Sequence, residues 1–221
     1  MQNKPILTPK KILKIFDKLS NHWPNAQCEL KHNNDFQLLI AVVLSAQTKD
    51  KAVNKALQPL LVENPQFSAP DLIKMGEQRF LQTIQSIGLA PTKAKNCLAI
   101  AKLIEQKFEN KVPLEREALE SLPGVGRKTA NVVLNVLAGM PTMAVDTHVE
   151  RVSQRIGLVE QTKNRLKIEE QLLAIVPKKH ALLAHHLLIF LGRYLCTART
   201  PKCESCPIEQ ECKKIQLSFK R

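Results

Sequence analysis

Four cysteines near the end of the chain carry the plainest chemistry. Cys196, Cys203, Cys206 and Cys212 fall within 17 residues, in the spacing C-x6-C-x2-C-x5-C. Four thiolates this close repel one another and need a metal centre to hold them. An iron–sulfur cluster takes four cysteines. Structural zinc takes the same set, usually as two close pairs. Only one C-x2-C pair is present, which favours the cluster. The other two cysteines, Cys28 and Cys97, stand alone near apolar residues and read as small buried hydrophobes.

The second constellation joins glycines to a lysine. Leu122-Pro123-Gly124-Val125-Gly126 runs directly into Arg127-Lys128. Two glycines two apart let the backbone turn tightly and clear side chains from a close approach. The turn feeds the start of a helix, where free N–H groups and the dipole favour an anion such as phosphate. This reads as a helix-hairpin-helix, which grips a nucleic-acid backbone without reading its sequence. G-x-G alone would also suit an ordinary corner between two helices, and the basic pair after it supports the phosphate reading. Lys128 itself occupies a first turn, where the dipole disfavours a cation. A nucleophilic lysine must be neutral. Moving its pKa from about 10.4 to about 7–8 takes about 4 kcal/mol. The helix start, Arg127 and partial burial all push that way. The plainer alternative is a solvated lysine on phosphate. Asp146, in Val145-Asp146-Thr147-His148-Val149, precedes a helical run and reads first as its N-cap.

These residues need elements to hold them, and the pattern is helical nearly throughout. Thr8-Pro9 is an N-cap and helix-starting proline, followed by an apolar face of Ile12, Leu13, Ile15, Phe16 and Leu19. Asp35 is positioned to cap an apolar helix over 36–46, and Thr48 the next, to about 62. Further helices are predicted near 70–75, 77–87, 91–108, 115–121, 127–138, 147–156, 162–175 and 179–195. No useful strand alternation, repeat or low-complexity segment appears. The division falls near Pro141. The first helix, set off by Asn21-His22-Trp23-Pro24, can pack on either half.

The formal charge is +13, from 33 Lys plus Arg against 20 Asp plus Glu. That favours an anionic partner. No apolar run nears the 18 or so residues of a membrane span, and the first residues lack an apolar signal core. The expectation is an intracellular protein with nucleic acid as partner.

At this point a resemblance becomes specific. Leu122 to Val133 resembles the hairpin of the endonuclease III family, with Lys128 at the family's catalytic lysine. Val145 to Val149 is similar to the family's catalytic aspartate segment, with Asp146 at the aspartate. Leu44-Ser45-Ala46-Gln47 resembles the turn whose Gln fills the gap left by a flipped nucleotide. Ile87-Gly88-Leu89 resembles the loop that wedges a Leu into the stack. The 6-2-5 cysteine spacing matches the family's cluster, and the likeness runs from about residue 10 to Cys212.

The resemblance implies an all-α fold in two domains. One is a six-helix barrel with the hairpin, 28–140. The other joins 1–27 to 141–221 and bears one [4Fe-4S] cluster on Cys196, Cys203, Cys206 and Cys212. The active cleft would lie between them. The implied enzyme is a DNA glycosylase and abasic-site lyase, monomeric and cytoplasmic at the nucleoid. It would act on double-stranded DNA with a damaged pyrimidine or abasic site. Lys128 and Asp146 would be catalytic. Gln47, Leu89, Leu122, Gly124, Gly126, Arg127, Arg193, Arg199 and Lys202 would contact DNA.

The chain departs from the family at Lys49, Ala90, Leu187 and Leu191, where relatives often carry a small or polar residue, an aromatic, Trp and His. These bear on damage preference and leave Lys128 and Asp146 intact. His185-His186 reads as packing rather than metal ligation. Adenine glycosylases share the hairpin, aspartate and cluster but lack this lysine. A non-enzymatic DNA-binding or electron-transfer protein would not need the pair.

Overall fold

The structure is a computed structural model and describes residues 7–215. Among these the chain is helical with no strand, and no helix is long and apolar enough to cross a membrane. It falls into two compact units: Glu29–Ala138, and the chain up to Cys28 joined to the chain from Gly139.

The Glu29–Ala138 unit is built around α2 (Asp35–Leu44) and α6 (Ala90–Lys107). Every residue of α2 from Phe36 to Leu44 is buried, as its all-round apolar sequence requires. Around them lie α3 (Asp50–Glu63), α4 (Ala69–Met75), α5 (Glu77–Ile84), α7 (Arg116–Glu120) and α8 (Arg127–Ala138). Helix α6 packs on α2, α4 and α5, and α8 on α2 and α7.

The second unit holds α1 (Pro9–His22), α9 (Thr147–Ile156), α10 (Arg165–Ile175) and α11 (Ala184–Phe190), then the cysteine loop. Its core joins Ile12, Ile15, Phe16 and Leu19 of α1 to Val149, Val152 and Ile156 of α9 and to Leu187, Leu188 and Leu191. The packing partner of α1, left open by sequence, is therefore this unit. Trp23 seals the joint edge-on against Phe190, with ring centroids 6.1 Å apart. Glu211 is a second tie. Only 3% exposed, it meets Lys14 and Lys18 of α1, each at 2.9 Å. Burial raises the pKa of this carboxyl, but the two lysines outweigh it and hold the carboxyl below its ordinary range. The stability from this ion pair is present above that range and is lost as pH falls through the lowered pKa.

Several caps and helix boundaries differ from expectation. Thr8 stands at the N-cap of α1 ahead of Pro9, as expected, but makes no side-chain cap bond. Asn34, not Asp35, caps α2, accepting from the Gln37 N–H. Thr48 does not cap α3; Lys49 precedes that helix, and the Thr48 hydroxyl accepts from Lys93 instead. Asn164 caps α10. The long helix expected over 179–195 breaks into a 3-10 turn at Lys178–His180, α11, and a π-helical stretch at Leu191–Leu195. Cys97 is buried as expected, whereas Cys28 is only half-buried.

Candidate functional site: hairpin, turns and cysteine loop

In the Glu29–Ala138 unit the hairpin forms where the glycines stand. Gly124 has φ +76, and a Cβ there would lie 2.6 Å from Nδ2 of Asn96 on α6. A Cβ on Gly126 would meet nothing within 4 Å, and this glycine is exposed, so its freedom serves outward access rather than packing. Val125 is buried, and its N–H donates to the Leu122 carbonyl at 3.1 Å. Leu122, expected among the DNA contacts, is 2% exposed. Its side chain is part of the core, which leaves only backbone for a ligand. The first helical bond of α8 runs from the Ala130 N–H to the Gly126 carbonyl. The N–H groups before Ala130 therefore precede the helical ladder. Arg127 is exposed and Lys128 half-buried in this first turn.

Two further exposed side chains in this unit sit on left-handed backbone. Gln47 has φ +55 in the turn after α2, and Leu89 has φ +61 at the head of α6. Leu89 is 60% exposed. Ala90 beside it is buried, so no aromatic is presented there.

The other unit carries Asp146 and the cysteines. Asp146 caps α9 through Oδ1 alone, which accepts from the N–H groups of His148 and Val149, both at 2.8 Å. Oδ2 is left outside the cap. His148, half-buried beside it, has its pKa lowered by burial, against the pull of Asp146. His185 and His186 are buried with ring centroids 3.7 Å apart. Burial and then Arg193 push His186 down to about 4, so it is neutral and serves as packing. Leu187 and Leu191 are buried core residues. Gly192 lets the chain pass close to α9, since a Cβ there would lie 2.8 Å from Cβ of His148.

Cys196, Cys203, Cys206 and Cys212 line one pocket with Arg155, Leu191 and Leu195. Burial raises the pKa of Cys206 and Cys212, and the neighbouring thiols add to it. Four thiolates there need a positive centre. Sequence reading missed the residues that shape this loop. Arg155 on α9 donates to the Cys196 sulfur at 3.5 Å and to the carbonyls of Thr197 and Ala198 at 2.8 and 3.2 Å. Arg151, 7% exposed, donates to the carbonyls of Gly192 and Cys196 at 2.8 and 3.1 Å. Their only signal was two arginines one helical turn apart in α9. Arg199 and Lys202 are exposed on the loop so held, and Arg193 is half-buried ahead of it.

The two glycines are thus expected to respond differently to a methyl group. Gly124→Ala should cost of order 1–3 kcal/mol, from positive φ and the clash with Asn96. Gly126→Ala should stay within about 0.5 kcal/mol of the parent, as surface substitutions usually do. Urea denaturation of both variants checks this. Equal losses would mean that Gly126 is also structural.

Comparison with known proteins agrees with this arrangement. Residues 40–178 match the HhH-GPD superfamily of base-excision DNA-repair proteins, and residues 196–212 match the iron–sulfur binding domain of endonuclease III. Endonuclease III of Rickettsia conorii is 48% identical over 90% of this chain and 93% of its own. The Bacillus subtilis endonuclease III is 42% identical over 98% of each. A trapped endonuclease III–DNA covalent intermediate superposes with TM-score 0.86 at 44% identity, covering 94% of this chain and 97% of that one. A thermostable thymine-DNA glycosylase, 23% identical with TM-score 0.81, shares the fold. With the hairpin, the cysteine loop and matches running through nearly its whole length, this chain belongs to the endonuclease III family of base-excision DNA-repair enzymes.

Proposed function

We propose that this enzyme removes oxidised pyrimidines from double-stranded DNA and cleaves the resulting abasic site by β-elimination through a Schiff base on Lys128. The observation that carries this reading is Lys128 itself, half-buried in the first turn of the hairpin helix. A cation costs stability there, and an amine held beside bound phosphate is placed to act on a sugar.

The chain's own groups supply the steps. The exposed hairpin N–H groups, Arg127 and the outward face at Gly126 hold phosphate. Gln47 and Leu89 occupy the hole as the damaged nucleotide leaves the stack. Eversion costs a few kcal/mol, least for a poorly stacked base. The Lys128 amine attacks the sugar C1′, and the C1′–N bond breaks with its electron pair leaving on the base. Asp146, with Oδ2 outside the cap, positions or deprotonates the amine and balances positive charge developing on the sugar. The opened sugar forms an imine with Nζ. Loss of a C2′ proton then expels the 3′ phosphate, and water releases the lysine.

The cofactor is a single [4Fe-4S] cluster. We assign its ligands to Cys196, Cys203, Cys206 and Cys212. When bound it supplies structural cross-linking of the loop, and Arg199 and Lys202 on that loop face the DNA backbone. We further propose that the units 28–140 and 1–27 with 141–221 are the family's two domains. The reading includes a monomer acting in the cytoplasm, at the nucleoid.

Binding to an abasic-site duplex should weaken with salt, each phosphate contact adding about −0.9 to the log–log slope. Gly126→Ala should weaken that binding without loss of stability, and unchanged affinity would remove the hairpin from the DNA interface. Purified protein should be yellow-brown with about four irons per chain, and zinc in place of iron and sulfide would overturn the ligand assignment. Borohydride should trap the wild-type chain on a lesion-bearing duplex. Lys128→Gln should abolish trapping and strand cleavage while retaining DNA binding. Asp146→Asn should slow base removal strongly at near-unchanged stability, because Asn caps as well as Asp. Efficient trapping by Lys128→Gln at the same position would identify another amine as nucleophile.

A further inference from the structure

Lys93 is a buried charge that the proposed chemistry does not use. It lies one turn into α6 and is 5% exposed. Its Nζ donates to the Leu44 carbonyl at 2.8 Å, the Ala46 carbonyl at 2.7 Å and the Thr48 hydroxyl at 2.8 Å. Three acceptors satisfy all three donors of an ammonium. The Leu44 carbonyl ends α2, where the helix dipole favours a cation. Burial lowers the pKa of this amine, while the adjacent buried Cys97 is pushed up to about 12 and stays a neutral thiol. An apolar side chain would fill the same space without desolvating a charge. What lysine adds is geometry.

The segment it fixes is the turn that exposes Gln47 on left-handed backbone. The backbone of Lys93 fixes a second segment. Its N–H donates to the Leu89 carbonyl at 3.0 Å, the first bond of α6. Leu89 is the other exposed, left-handed residue of this region. Non-glycine residues keep such backbone only where their surroundings over-determine it. One residue thus holds both, the turn through its ammonium and the helix head through its amide.

We propose that Lys93 is a positioning residue for base eversion, locking the Gln47 turn to the head of the Leu89 helix so that both side chains enter the duplex as one preorganised unit. The proposal rests on the reading of Gln47 and Leu89 as the residues that fill the DNA stack. Ordering two loose turns at insertion would cost conformational entropy, and a prior lock removes that cost. The demand falls on substrates whose base must still be unstacked. An abasic site has no base to displace. Loss of Lys93 therefore weighs on base excision more than on lyase chemistry.

The test uses cluster-loaded protein under single-turnover conditions, with rates normalised to the fraction trapped by borohydride. One duplex carries a single thymine glycol and the other a preformed abasic site. Lys93→Met should slow excision about tenfold, the scale of lost hydrogen bonds to a charged group, and slow lyase cleavage less than threefold. Thr48→Val, which removes one acceptor and keeps the charge, should slow excision about threefold with the same bias. In a Gln47→Ala/Leu89→Ala background, Lys93→Met should cost nothing further, because the groups it positions are gone. Equal slowing of both reactions, or the same further loss in that background, would reduce Lys93 to a structural residue and overturn the proposal. Should Lys93→Met fail to load its cluster, Thr48→Val in the two backgrounds decides in the same way. If Gln47→Ala and Leu89→Ala alone leave excision unchanged, the insertion reading has failed, and the role of Lys93 falls with it.

Discussion

One face of α6 is the constraint on which the Glu29–Ala138 unit depends. Leu89, Lys93 and Asn96 follow one another at helical spacing. The first is exposed at the helix head, the second binds the turn after α2, and the third packs against the bare backbone of Gly124. Three irregular segments are thereby referred to one rigid element. Exposed loops move unless a scaffold fixes them, and functional groups held within tenths of an ångström require that support. The buried α2 behind it supplies the apolar contact that keeps α6 in place.

The other unit solves a different problem. A loop with four thiolates cannot fold on its own apolar surface, since its side chains repel when charged and desolvate poorly when buried. Metal binding and folding are coupled in such loops. The protein side of that coupling is α9, whose Arg151 and Arg155 donate to the loop carbonyls around Cys196. Glu211, next to the last cysteine, then carries the loop to α1 through two lysines. Among the described residues, helix α1 and the cysteine loop are therefore one structural piece, although most of the sequence lies between them.

Asp146 shows how one residue can be necessary for fold and available for chemistry. A carboxylate has two oxygens, and the cap of α9 occupies only Oδ1. Conversion to asparagine keeps an oxygen for the cap and removes the charge. The structural and chemical roles can therefore be separated in a single substitution.

Much of this was legible in sequence because it depends on local rules. Helical period, the glycine hairpin, the 6-2-5 cysteine spacing and Asp146 as an N-cap all act over a few residues, and helices α8 and α9 begin and end where their sequences indicate. Chain-wide resemblance supplied the rest of the functional reading. What sequence could not determine was set by partners distant along the chain. Thr48 looked like a helix cap, but a lysine 45 residues later takes its hydroxyl. Leu122 reads as a contact residue without regard to its side chain, which packing turns into the core so that only its backbone is left for a partner. Helix α1 had a clear apolar face and no evident partner until Trp23, Phe190 and Glu211 closed around it. Lys93 and Arg155 looked like two of 33 cationic residues on a basic protein. Only the folded chain shows that each is held by carbonyl oxygens of a loop it must shape, because hydrogen-bond acceptors are brought together by tertiary packing and leave no periodic trace in sequence.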